Sequence, residues 1–361
     1  MRISQIHLSN FKRFSDLVIR DIPEATKLVL VVGPNGCGKS SLFDALLHWY
    51  RSKVGFGYRD DKQYYQKNLD APFDYGQSVK VVFHGGGEVK RGSLYVRTAY
   101  RHDPDFSVST IQQLAIPSEK TPFQRVIDDD KTVAENYQRL VYDTMAGVYA
   151  DENSGKRVRE LREELIGSVR DSMKRVFDDL TLKSISDPLG VGAFFFEKGE
   201  ASSYHYKNLS GGEKAAFDLL LDVHLKRKYF QDAVYCIDEL ETHLHTRVQG
   251  ALLKELMGIV PGDSQLWVTT HSLGVLRAAQ DVAASAPGSV SVIDFEGIDL
   301  DEPHELVPSS LGRLVWEKLL SIALDDLSDR IAPESVVVCE GSSVGTRRKE
   351  FDAEILSRVL G

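Results

Sequence analysis

Cysteine is scarce in this chain of 361 residues: Cys37, Cys236 and Cys339 are its only three. They share no paired spacing, which excludes a disulfide framework and a cysteine-ligated zinc site, so they read as reduced, small apolar residues. No apolar run reaches the roughly 20 residues that span a bilayer, and Met1-Arg2-Ile3-Ser4-Gln5 lacks the basic-then-apolar plan of a secretion signal. A cytoplasmic protein without membrane contact is the expectation. Positive charge is also in short supply. The formal net charge of −9 argues against general coating of nucleic acid, although a local basic surface formed on dimerisation stays open, and with it DNA as a partner. No internal repeat or low-complexity tract is present, which excludes solenoids and long disordered arms.

What is present is an ordinary globular composition, 42% hydrophobic and 27% charged, enough for one large α/β domain or two smaller ones. Ile3, Ile6 and Leu8, then Leu17, Val18 and Ile19, predict two short strands. Leu28 to Val32 is a continuous apolar run of the kind buried on both faces. Leu42, Phe43, Ala45, Leu46, Leu47 and Trp49 then recur at helical spacing. Val79 to Phe83 and Ser93 to Tyr100 predict further strands of a β-rich first lobe, separated by Gly85-Gly86-Gly87. From Val133 onwards the pattern turns helical, with Val158, Leu161, Leu165, Val169, Val176 and Leu180 on the apolar stripe of one amphipathic helix. Short strands are expected around Ala193 to Phe196 and Tyr204 to Tyr206.

Between the strand at Leu28 and the following helix lies Gly33-Pro34-Asn35-Gly36-Cys37-Gly38-Lys39-Ser40, a phosphate-binding loop in the strand–loop–helix setting such a loop requires. Its glycines let backbone N–H groups of Asn35, Gly36 and Gly38 close around phosphates, while Lys39 neutralises β/γ charge and the Ser40 hydroxyl, followed by Ser41, suits Mg²⁺. Val234-Tyr235-Cys236-Ile237 is a second apolar run, ending in Asp238 and Glu239. The first carboxylate can reach the Mg²⁺ shell, and the second can polarise an attacking water. His271 follows Leu266-Trp267-Val268-Thr269-Thr270, where its imidazole can face a γ-phosphate or that water. Ser210-Gly211-Gly212 opens a predicted helix, and a helix N-terminus with adjacent glycines suits an anion. His243 and His245 with Asp238 and Glu241 could suggest a metal set, yet no third-ligand spacing supports zinc.

Taken together, the phosphate loop, Asn208-Leu209-Ser210-Gly211-Gly212-Glu213-Lys214, Asp238-Glu239, Thr242-His243-Leu244-His245 and Thr270-His271-Ser272 resemble the ABC-type ATPase heads of the SMC/RecF and OLD (overcoming lysogenisation defect) families. The resemblance extends over about residues 1–300. It implies an α/β, two-lobed ABC-ATPase head: a P-loop NTPase core, a β-rich N-terminal lobe and a helical insertion. Residues 1–330 would form the head, with lobe I over about 1–150, the insertion over about 133–200, and the signature and Walker B lobe over about 200–330. The interval from Lys39 to Ser210 leaves no room for a long coiled coil. The resemblance further implies ATP and Mg²⁺ as ligands. It also implies a homodimer in which Ser210, Gly211 and Gly212 of one copy bind the γ-phosphate held by the other. A Mg²⁺-sensing glutamine is implied too, with Gln112 or Gln113 the candidate and a surface glutamine the alternative. Lys12 and Arg13 fall where similar heads carry phosphate-facing basic residues, solvent exposure being the other reading.

Residues 331–361 form a closing β–α unit. Val336-Val337-Val338-Cys339-Glu340-Gly341 resembles the first strand and catalytic glutamate of a Toprim nuclease, and the alternative is an ordinary terminal unit. Later acidic residues to hold Mg²⁺ are missing, so nuclease activity is not expected of this chain alone. The leading functional expectation is an ATP-driven dimerisation switch controlling an effector such as a Toprim nuclease, as in OLD-like and PARIS-type anti-phage defence ATPases. The competing one is a RecF-like repair ATPase that clamps DNA, with basic residues between Arg157 and Arg175 as its surface. A transporter motor is disfavoured by the Glu241 to His245 segment.

Overall fold

The computed structural model describes residues 1–57, 60–99, 106, 112–128, 134–186 and 193–312. Strands β1 (Ile3–Phe11) and β2 (Phe14–Ile19) form a hairpin, after which β3 (Leu28–Val32) leads through the phosphate-loop sequence into α1 (Lys39–Lys53). A single turn, α2 (Lys62–Tyr65), precedes β4 (Val79–Phe83) and β5 (Leu94–Arg97). Next come α3 (Glu135–Val148), α4 (Val158–Val176), β6 (Leu180–Ile185), β7 (Phe194–Lys198) and β8 (Ala201–His205). The remaining elements are α5 (Gly211–Lys226), β9 (Val234–Ile237), α6 (Thr246–Ile259), β10 (Gln265–Thr270), α7 (Leu273–Ser285), β11 (Val290–Asp294) and β12 (Pro303–Leu306).

Three sheets result. The central one has five parallel strands in the order β11-β3-β10-β9-β5. Every residue of β3, β9 and β10 is buried, which explains why β3 and β9 read as continuous apolar runs rather than alternating ones. The second sheet, β12-β2-β1-β4, alternates buried and partly exposed positions along β2 and supplies Ile6, Leu8, Phe11, Phe14 and Leu17 to a core shared with α1. The third is the antiparallel meander β6-β7-β8.

Two expectations are corrected. The strand expected over Ser93–Tyr100 in the β-rich first lobe is β5, Leu94–Arg97, and it pairs in parallel with β9, Leu94 opposite Val234, as an edge of the central sheet. Leu180, expected on the amphipathic helix, instead opens β6. The chain turns extended at Phe177 (φ −121°, ψ 140°), and Asp178 and Asp179 are unfavourable at a helix C-terminus, where the dipole is negative. The buried stripe of α4 is therefore Leu161, Ile166, Val169, Met173 and Val176, while Val158 lies exposed at its first position. At nineteen residues α4 is the longest helix among the described residues, and no described helix is long and apolar enough to cross a membrane. Residues 331–361, with Glu340, lie outside the described residues.

Helix α5 is fixed to the meander by aromatic packing. Phe217, fully buried, sits 4.9 Å from Phe194 and 5.0 Å from Phe196 between ring centroids, both edge-on, and Tyr206 lies 5.9 Å away. Edge-to-face geometry favours such pairs beyond the area they bury. The Tyr206 hydroxyl also donates to Asp218 at 2.8 Å. Replacing Phe217 by alanine is expected to lower unfolding stability by about 3–5 kcal/mol, and leucine by clearly less. Urea denaturation checks this; equal losses for the two variants would show that ring packing does not anchor the helix.

Candidate functional site

Parallel strands open their ligand crevices at their carboxyl ends, and here three of those ends converge. Register places Val32 of β3 beside Thr270 of β10, and Val268 of β10 beside Ile237 of β9. The next residue on β9, Asp238, thus arrives beside Thr269. In the phosphate loop Gly38 is left-handed (φ 102°), and a Cβ there would lie 2.9 Å from the Phe14 ring, so only glycine fits. Lys39 is buried, its Nζ donating to the carbonyls of Gly33 (2.7 Å) and Pro34 (2.9 Å), which keeps the ammonium inside the loop. Asn35 and Gly36 lie exposed on the loop's rim and Ser41 is buried under the first turn of α1.

Asp238 is the joint of the site. Its carboxylate accepts from Ser40 Oγ at 2.9 Å and from Thr269 Oγ1 at 2.5 Å, tying α1, β9 and β10 together. Burial pushes its carboxyl up to about 6; the Thr269 and Ser40 hydroxyls pull the other way, and the charges of Glu239 and Asp44 add to the rise. Thr269 Oγ1 also accepts the Glu239 N–H at 2.8 Å. Glu239 is left-handed (φ 45°), a conformation that costs a non-glycine residue energy and recurs at functional sites. Thr242 Oγ1 holds the Glu239 carbonyl at 2.8 Å.

His271 sits at the end of β10, about half exposed. Its N–H donates to Glu241 Oε1 at 2.6 Å, and its ring Nδ1 lies 3.2 Å from the same oxygen. Ser272 caps α7, its Oγ accepting from the Gly274 N–H at 3.0 Å, and Gln249 of α6 holds Ser272 in turn.

The signature segment stands apart. Ser210 and Gly211 are exposed at the start of α5, where Ser210 and Glu213 form a reciprocal cap: Ser210 N–H to Glu213 Oε2 at 2.8 Å and Glu213 N–H to Ser210 Oγ at 3.3 Å. Gly212 packs against the turn after Asp238, where an added Cβ would lie 2.4 Å from the His243 carbonyl oxygen. Among the described residues no hydrogen bond joins Ser210, Gly211 or Gly212 to the phosphate loop.

Other expected residues have partners of their own or lie exposed. Lys12 pairs with Asp44 of α1 and stands 3.8 Å over the Tyr64 ring. Arg13 is exposed. Gln112 and Gln113 are exposed as well; the Gln112 carbonyl accepts from Gln138 of α3, and among the described residues no hydrogen bond links the Gln112 side chain to Ser40 or Asp238. Sequence reasoning gave no role to Thr269 and read Glu241 as part of a motif and of a metal set that the spacing did not support. A threonine directly after the apolar Leu266-Trp267-Val268 of a buried strand was the available signal for Thr269.

Residues 2–288 match the RecF/RecN/SMC N-terminal domain family. The chain belongs to that family. Heads of this family are ATPases that bind ATP with Mg²⁺. Over 46 residues it is 52% identical to the chromosome partition protein Smc of Bordetella petrii, a stretch covering 13% of this chain and 4% of that protein. The chain thus spans only a small part of the length of the curated relatives it matches. Among solved structures it is similar to an SmcHead bound to the C-winged helix domain of ScpA, at 13% identity and a TM-score of 0.47, covering 88% of this chain and 100% of the other. It is also similar to the SMC head domain from Thermotoga maritima, at 17% identity and a TM-score of 0.39, covering 81% and 95%. Ser40 and Asp238 offer the hard oxygen donors that Mg²⁺ takes.

Because Thr269 holds the Asp238 carboxylate in its ionised form, Thr269→Val is expected to weaken Mg²⁺-dependent nucleotide binding by about 10–100-fold, with Thr269→Ser near wild type. Titrating Mg²⁺ against a fluorescent ATP analogue decides it. Unchanged Mg²⁺ dependence in the valine variant would remove Thr269 from the site.

Proposed function

We propose that this head is an ATP-driven dimerisation switch in which each nucleotide is held between two copies of the chain. What carries the reading is the separation just described: Lys39, Ser40, Asp238, Glu239 and His271 gather at the ends of β3, β9 and β10, while Ser210 and Gly211 stand exposed on a separate helix start. A second copy would bring its Ser210 hydroxyl and its Gly211 and Gly212 amides to the γ-phosphate, an anion meeting a helix N-terminus.

In this reading Asn35, Gly36, Gly38 and Ser41 line the phosphate cradle, and Lys39 leaves its loop carbonyls for the β/γ-phosphates. Ser40 and Asp238 would hold Mg²⁺, which when bound would neutralise charge on the phosphates. Glu239, set at a strained strand end, accepts a proton as water attacks the γ-phosphorus; the bond to the bridging oxygen breaks, leaving ADP and phosphate. His271 steadies that water or the departing phosphoryl group. Lys12, Arg13 and Gln112 would join only by rearranging from their present contacts.

The output we assign is control of an effector, of the nuclease class, in anti-phage defence. The support for it is the resemblance of the Glu241 to His245 sequence, and of the Val336-Val337-Val338-Cys339-Glu340-Gly341 sequence, to OLD-like proteins. The DNA-clamp alternative draws less support, since Arg170 and Arg175 on its expected surface already pair with Glu163 and Glu255.

Lys39→Ala is expected to abolish ATP binding, whereas Glu239→Gln keeps binding, loses turnover by at least about 100-fold and accumulates ATP-bound dimers. Nucleotide binding, phosphate release and light scattering measured on both variants test the assignment. Wild-type hydrolysis by Glu239→Gln would show that this carboxylate does not activate water.

A further inference from the structure

The turn between Asp238 and α6 buries a carboxylate with an unusual set of partners. Glu241 is almost wholly buried, and every hydrogen bond its carboxylate makes among the described residues goes to His271. The His271 N–H bonds Oε1 at 2.6 Å and the ring Nδ1 lies 3.2 Å from that same oxygen; the buried Oε2 has no hydrogen-bond partner. A buried carboxylate with one orphaned oxygen weakens a fold, and an apolar side chain of the same size would serve packing better. The group therefore needs a reason other than stability.

The ring geometry supplies one. A carboxylate facing Nδ1 can only accept, so Nδ1 must carry the hydrogen, and a neutral His271 then presents a bare Nε2. With its backbone N–H bonded to that oxygen and its Nδ1 3.2 Å from it, His271 is anchored at the strand end with its side chain about half exposed. Glu239, the neighbouring acidic residue, is held by different groups, its N–H on Thr269 and its carbonyl on Thr242.

We propose that Glu241 is a positioning residue: it fixes the tautomer and the orientation of His271, so that Nε2 is delivered to the nucleotide side of the site. The assignment rests on the reading of His271 as a nucleotide-facing group. Glu241 acts through the histidine, and its value lies in turnover rather than in ATP capture.

The experiment compares Glu241→Met, which fills the same space but accepts no hydrogen bond, with Glu241→Gln, which keeps an acceptor oxygen. Turnover of Glu241→Met at saturating MgATP should fall by about 10-fold or more with KM moving less than about two-fold, and Glu241→Gln should recover part of the loss. Combined with His271→Gln, the methionine change should slow the enzyme no further than His271→Gln alone, because both remove one unit. Selective ¹⁵N-histidine labelling, with His271 assigned by its absence in His271→Gln, reads the tautomer directly. At about pH 8, where an ordinary imidazole is neutral, the wild-type ring should carry its hydrogen on Nδ1 and the Glu241→Met ring should shift towards Nε2. Wild-type turnover and an unaltered tautomer in Glu241→Met would overturn the proposal, as would losses that multiply in the double variant. A wild-type chain without ATPase activity would sink the nucleotide reading instead, and the tautomer comparison would still decide the role of Glu241.

Discussion

The rest of the site depends on one buried carboxylate held by two hydroxyls. Asp238 reaches Ser40 on the first turn of α1 and Thr269 on β10, so the helix that follows the phosphate loop and two strands of the central sheet are locked at a single point. An ionised group in that position is unfavourable without partners, and burial alone would drive it to the neutral form. The two hydroxyls offset part of that cost. Their removal would loosen the strand ends and the loop together, which is why packing and chemistry cannot be separated here.

From that point the chain makes a turn with two left-handed non-glycine residues, Glu239 and His243. One side of the turn meets the signature: the His243 carbonyl leaves no room for a side chain on Gly212. Its other side meets His271 through Glu241. The strain at Glu239 and His243 is tolerated because the Thr269 and Thr242 hydrogen bonds, the Gly212 contact and the cap of α7 all fix the surroundings.

Much of this was legible in the sequence. The apolar runs at Leu28 and Val234 announced buried parallel strands because β3 and β9 are covered on both faces, and the phosphate loop announced itself through glycines between a strand and a helix. Other features were hidden for physical reasons. Strand pairing between β5 and β9 joins segments far apart in the chain, and no local pattern reports it. Leu180 kept helical spacing with Val176 although Asp178 and Asp179 had already ended the helix. Thr269 looked like one more strand residue, and its role appears only when β9 lies alongside. Lys12 had the right charge and place in the chain, but Asp44, a full helical turn beyond Ser40, holds it.

The central claim is that a complete ATP site needs two copies of this chain, and mixed protomers test it most directly. Lys39→Ala carries a dead phosphate loop with an intact signature, and Ser210→Arg carries the reverse. Each alone should fail to form ATP-dependent dimers or hydrolyse ATP. Mixed, they should form dimers that hold one nucleotide per pair and recover turnover, on the order of a quarter of the wild-type rate if assortment is random and each composite site acts independently. Turnover at the wild-type level by Ser210→Arg alone, or no recovery from two folded proteins shown to associate, would contradict the shared site.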